Sequence, residues 1–225
     1  MKKFIYTLGM LFIGLQVSAQ EESSFNFGLH IAPSISWYKA EGDSLSNDGS
    51  KIGFTYGLMA DYYFSKNYAL SGGLDVTYRN GKLKEINSLK NSDSLVSSRI
   101  SNLDWSLQYI ELPVTIKMRT NEIGYLRYYL NFGLAPGFNI RKKQEAEITT
   151  QPKSGATTTV TGKDSNKIGF FNFALVVGGG IEYTISGNTK GVAGLVFNNG
   201  FIDVVSTDNR KATSSYLGLN LGVFF

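Results

Sequence analysis

The chain has 225 residues, with 22 Lys and Arg against 18 Asp and Glu, one histidine, no cysteine, 25 glycines and 13% aromatic residues. Its net charge of +4, lowered by two if Lys2 and Lys3 leave with a signal segment, is too small a surplus to support nucleic-acid binding. Without cysteine no disulfide can hold an exported domain together, and with one histidine and no clustered acids neither a metal nor another cofactor is expected.

Residues 1–19 read as a signal peptide: Met1-Lys2-Lys3 is basic, 4–15 is apolar, and Val17 and Ala19 put small residues where signal peptidase reads. The apolar run is too short for a membrane helix. The domain is therefore expected over 20–225, exported, and without a lipid anchor because no cysteine follows the cut.

Beyond residue 20, apolar residues recur with period two in eight segments. The first, 25–38, sets Phe25, Phe27, Leu29, Ile31, Ile35 and Trp37 against Asn26, His30, Ala32, Ser34 and Ser36. The second, 51–64, sets Ile52, Phe54, Tyr56, Leu58, Tyr62 and Phe64 against Gly53, Thr55, Gly57 and Asp61. In the third, 68–79, Tyr68, Leu70, Leu74, Val76 and Tyr78 oppose Ser71, Asp75, Thr77 and Arg79. The fourth, 103–119, changes phase: Leu103, Trp105, Leu107 and Tyr109 give way to Ile110, Leu112, Val114, Ile116 and Met118, so a β-bulge is expected near Tyr109. The fifth, 125–140, and the sixth, 168–185, turn out Tyr128, Leu130 and Phe132, then Phe171, Phe173 and Tyr183. In the seventh, 191–201, Val192 and Val196 blur the polar face. The eighth, 216–225, places Leu217, Leu219, Leu221, Val223 and Phe225 on one face and ends on that aromatic, which is similar to the signal read by barrel-assembly machinery.

Short connections at 65–67, 120–124 and 186–190 alternate with long polar ones at 39–50, 80–102, 141–167 and 202–213. Short periplasmic turns and long outer loops alternate in this way. The expected fold is all-β: an eight-stranded antiparallel up-and-down transmembrane β-barrel with both termini on the periplasmic side. Alternation around Pro152 to Gly155 predicts a hairpin projecting from the longest loop. Trp37, Tyr78 and Trp105 would form the outer aromatic girdle, and Phe64, Tyr68, Tyr183 and Phe225 the inner one. A secreted lipocalin-like barrel would share the alternation. However, the faces opposite the apolar stripes are mostly Gly, Ala, Ser, Thr and Asn, whereas a soluble exterior is rich in Lys and Glu.

The signal ending Val17-Ser18-Ala19-Gln20, the run Tyr109-Ile110-Glu111-Leu112-Pro113-Val114-Thr115-Ile116-Lys117, the strand around Gly178-Gly179-Gly180-Ile181-Glu182-Tyr183 and the terminal Leu221-Gly222-Val223-Phe224-Phe225 together resemble the PorT-like small outer-membrane β-barrels of Bacteroidota-type envelopes. The resemblance covers nearly the whole exported chain, and its most specific element is Tyr-Ile-Glu-Leu-Pro. It implies a fold and an outer-membrane location. One member of that family is linked to a secretion system, but no motif here selects that role.

Eight strands enclose a lumen only wide enough for side chains to fill. His30, Asp61, Asp75, Glu111, Lys117, Arg127 and Glu182 all fall on inner positions, and ionised groups there must pair or stay hydrated. A polar plug is expected, with Lys117 and Arg127 reaching Asp61, Glu111 or Glu182. Asp75 and Glu111 lie at similar depth, and would either share a proton or be bridged by an arginine. His30, beside Ser34 and Ser36, sits mid-barrel, far from the rim where an enzyme would meet lipid, so no catalysis is expected. Arg141-Lys142-Lys143 emerges above the outer girdle, within reach of lipopolysaccharide phosphates. The function expected is that of a monomeric structural or interaction barrel working through its outer loops. Its partners would be outer-membrane lipid and lipopolysaccharide, the barrel-assembly machinery during insertion, and an envelope protein. The alternatives are a secretion accessory or a lipid-modifying enzyme.

Overall fold

Alternating residues of high strand propensity build the molecule from strands alone. The computed structural model describes residues 24–41, 45–90, 96–151, 158–162, 168–207 and 210–225; the expected signal segment lies outside them. In chain order the strands are β1 (Phe25–Glu41), β2 (Leu45–Ser65), β3 (Tyr68–Lys90), β4 (Val96–Glu111), β5 (Val114–Arg119), β6 (Leu126–Gln151), β7 (Thr158–Gly162), β8 (Phe171–Ser186), β9 (Thr189–Gly200), β10 (Val205–Thr207) and β11 (Arg210–Phe224).

Hydrogen-bonded neighbours run β1-β2-β3-β4-β6-β8-β9-β11, and β11 returns to β1 from Gly28 opposite Phe224 up to Glu41 opposite Lys211. β4 and β5 are successive parts of one stave between β3 and β6. The break falls at Pro113, which has no amide N–H to give the ladder. Bonds from Leu112 N–H to Pro136 O (2.9 Å) and from Gly73 N–H to Pro113 O (3.2 Å) carry the pairing across it. Among the described residues the closed sheet therefore has eight staves, the architecture the alternation predicts. Phe27, Leu29, Leu58, Leu70, Ile116, Leu130, Leu195 and Leu219 belong to an exposed apolar band on its outer wall, the arrangement a bilayer requires.

The staves rise above this band. β6 has 26 residues, against the roughly 9–11 a tilted strand needs to cross a bilayer, so much of the expected outer loops is strand. β7 pairs with β6 from Ala146 opposite Gly162 to Thr150 opposite Thr158, as the projecting hairpin predicts; its turn at 152–157 lies outside the described residues.

The fourth segment departs from expectation. Its inner positions run without a slip through Leu103, Trp105, Leu107, Tyr109, Glu111, Thr115, Lys117 and Arg119, all buried. The pattern that reads as a phase change is a change in what the lumen holds. Above the bilayer level it is apolar, where Tyr38, Leu83, Leu103, Trp105, Leu107 and Val204 pack together; below that it is polar. Trp105 is consequently not a girdle residue: it is 3% exposed inside the barrel, with its ring edge-on to Tyr38 at 5.2 Å. The register does shift at this height, but the extra residue is Ile140 on β6, between Asn139 opposite Tyr109 and Arg141 opposite Gln108.

Candidate functional site in the barrel lumen

One row of register partners crosses the middle of the lumen: Gly222 on β11, His30 on β1, Gly57 on β2, Asp75 on β3, Glu111 on β4 and Gly137 on β6. The glycine between His30 and Asp75 lets them meet, because a β-carbon at position 57 would overlap the Asp75 carboxylate. His30 Nε2 lies 2.8 Å from Asp75 Oδ1, and its Nδ1 lies 2.8 Å from Asn220 Oδ1. Ser36 is turned away, donating to the backbone oxygen of Asn80. The histidine is thus held at both ring nitrogens, by the Asp75 carboxylate and the Asn220 carboxamide.

Glu111, directly opposite Asp75, takes its own cation. Arg79 Nε and Nη2 donate to Glu111 Oε1 at 2.9 and 2.6 Å, Nη2 also donates to Asn198 Oδ1 at 2.9 Å, and Nη1 reaches the Ser214 carbonyl at 3.3 Å. The guanidinium lies over the rings of Tyr109 and Tyr216, 5.5 and 5.1 Å from their centroids. Arg79 thus ties β3, β4, β9 and β11 together across the lumen with no exposed surface. Each of the two acids contacts a different base, Asp75 the imidazole of His30 and Glu111 the guanidinium of Arg79. The alternation places Arg79 on the inner lane, but sequence reasoning did not name it as part of the plug. The signal for it was present, as an arginine on an inner lane otherwise filled by small side chains.

Nearer the periplasmic end, Lys117 binds Asp61 at 2.6 Å and forms an ion pair with Glu182, under the rings of Tyr129 (4.7 Å) and Phe224 (4.9 Å). Gly194 leaves room for the Tyr129 hydroxyl, which a larger side chain there would displace. Ser71 donates to Asp61 at 2.5 Å. Arg127, the register partner of Glu182, also pairs with Glu122 at 2.7 Å, on the turn at the mouth of the barrel. Between the Lys117 and Arg79 layers lies a chamber of about 100 Å³ lined by His30, Asp75, Asn131, Asn220 and Tyr216, enough for several water molecules. Among the described residues, no group of three or more His, Asp or Glu side chains is placed to hold a metal ion.

On the outer wall, rings expected in the girdles lie against neighbouring rings: Trp37 stacks on Phe197 (6.4 Å), Tyr78 on Tyr56 (6.5 Å) and Phe64 on Tyr68 (6.4 Å), and Tyr183 is tilted against Tyr125 (6.2 Å). Phe225 is 59% exposed at the end of the lane that carries Leu217, Leu219, Leu221 and Val223.

A family model described as outer membrane protein beta-barrel domain matches residues 16–206. Among solved structures, Neisserial surface protein A is 16% identical, with 92% of this chain and all of that chain covered at a TM-score of 0.40. OprG from Pseudomonas aeruginosa is 7% identical, with 92% and 98% covered at 0.42. Ail from Yersinia pestis, solved with the heparin analogue sucrose octasulfate, is 16% identical, with 87% and 98% covered at 0.35. No curated protein sequence matches the chain.

Proposed function

The chain belongs to the outer membrane protein beta-barrel domain family and is an outer-membrane protein, and on that premise we propose a PorT-like barrel, made with a signal peptide over 1–19, that works through its surface while its own side chains close the lumen. The observation that carries this reading is Arg79, which spans the lumen from β3 to Glu111, Asn198 and Ser214 directly below an apolar layer built on Leu107 and Trp105. An ion pair of this kind is hard to dislodge, because removing either partner strands a buried charge. A closed interior leaves the outer strands and the wall as working surfaces, which suits a monomeric structural or interaction protein and not a pore. The lane from Leu217 to Phe225 would be read by the barrel-assembly machinery. A role as accessory to an envelope secretion system would follow only from the family resemblance, since no motif selects it; copurification from cross-linked envelopes would test it.

Conductance tests the closed lumen. In planar bilayers the refolded protein should give no stepwise current, and the double variant Arg79→Ala with Lys117→Ala should give small steps. Resolved steps from the unaltered protein would refute the plug.

A further inference from the structure

We propose that the outer face of β3, β4 and β6, just above the apolar band, binds the phosphate groups of outer-leaflet lipid headgroups through Arg141 and Lys143. Two rows of register partners define the place. Tyr78, Gln108 and Arg141 stand side by side in the first, and Asn80, Ser106 and Lys143 in the second. Beneath them lie the apolar register partners Ile110 and Phe138, with the exposed bulge residue Ile140 directly before Arg141. The corresponding row on β1, β11 and β9 is Trp37, Ser215 and Asn199, which carries no charge.

The β-bulge is what puts these cations outside. On β6 the inner lane runs through Arg127, Tyr129 and Asn139, all buried, and strict alternation would send residues 141 and 143 into the lumen as well. The extra residue Ile140 reverses the lanes, so that Arg141 stands opposite outward-facing Gln108 and Lys142 opposite inward-facing Leu107. Lys142, exposed on the opposite lane, donates from Nζ to the carbonyl of Ile168. Bulges re-aim side chains in this way. A second shift, on β2 between Ser50 and Phe54, brings Lys51 Nζ to 2.6 Å from Asp104 Oδ1.

Lys51 thereby offsets the nearby acid Asp104. The other acid, Glu145, meets Lys143 at 2.9 Å, but the two side chains are 52% and 60% exposed, and such surface pairs contribute little. A phosphate can therefore take Lys143 at small cost. Arg141 offers a planar fork suited to phosphate oxygens. Gln108 Nε2 donates to Tyr78 Oη at 3.2 Å, which leaves the tyrosine O–H free to donate to an anion in the same row.

Native mass spectrometry of the folded, full-length protein in detergent, titrated with bisphosphorylated lipid A, tests the proposal. The unaltered protein should retain lipid A at least about tenfold better than the same lipid stripped of its phosphates, on the scale of one charge-assisted hydrogen bond. The double variant Arg141→Gln with Lys143→Gln should lose that preference, whereas Lys39→Gln with Lys211→Gln keeps it. Equal retention of the stripped lipid, or full retention by the Arg141 and Lys143 variant, would overturn the proposal. So would displacement of lipid A by equimolar inorganic phosphate, which would make the site one for free anions. The comparison of the two lipids on unaltered protein requires no variant to fold.

Discussion

Changing Arg79 to methionine keeps most of the side-chain volume while removing the cation that Glu111 holds through two donors at 2.9 and 2.6 Å. Both groups are buried, so the variant leaves a carboxylate without its partner in the middle of the lumen. Breaking a buried pair from one side costs about 3–5 kcal/mol. Loss of the stacking on Tyr109 and Tyr216 adds about 0.5–2 kcal/mol for each ring. The matched variant, Arg79→Met with Glu111→Gln, removes the stranded charge and should recover that cost of about 3–5 kcal/mol, leaving the loss of the two ring contacts, about 1–4 kcal/mol. The assay is reversible guanidinium unfolding in lipid vesicles, followed by tryptophan fluorescence and by the heat-dependent gel mobility of the folded barrel. A double-mutant cycle should return a coupling of at least about 2 kcal/mol between the two positions, at the upper end for residues in contact. An Arg79→Met variant within about 0.5 kcal/mol of the unaltered protein, the range of an ordinary surface substitution, would refute the account of this layer.

Two further outcomes follow from placements that the register decides. Brominated lipids should quench Trp37 in a Trp105→Phe background and leave Trp105 unquenched in a Trp37→Phe background, because one ring faces the bilayer and the other is buried above Tyr109; quenching of Trp105 would place it back on the girdle. Gly57→Val should push Asp75 off His30 and cost about 1–3 kcal/mol as an overpacking change, read by the same unfolding assay, while an equal effect from Gly191→Val, where a β-carbon meets nothing nearer than 3.6 Å, would show that the cost has nothing to do with the lumen.

Period-two alternation was sufficient, read from residues alone, for the eight staves, the outward lanes of β1, β2, β3 and β11, and the inward placement of Asp61, Asp75, Glu111, Lys117 and Glu182. It works because consecutive side chains on a strand must point to opposite faces, and a closed sheet in lipid must put its apolar face outward. Pairing was not legible. Whether Glu111 meets Asp75, Arg79 or Lys117 depends on which strand lies opposite and in what register, and the shifts at Ile140 and around Lys51 are set by neighbouring strands. The row of glycines that lets His30 reach Asp75 likewise becomes a row only once β1, β2 and β3 are aligned.

The fourth segment shows the boundary most clearly. Alternation alone establishes that Leu103, Trp105, Leu107 and Tyr109 share a face with one another. Only the closed barrel decides that this face is the inner one, because it raises β4 above the bilayer, where the solvent outside is water and the apolar side of a strand turns inward.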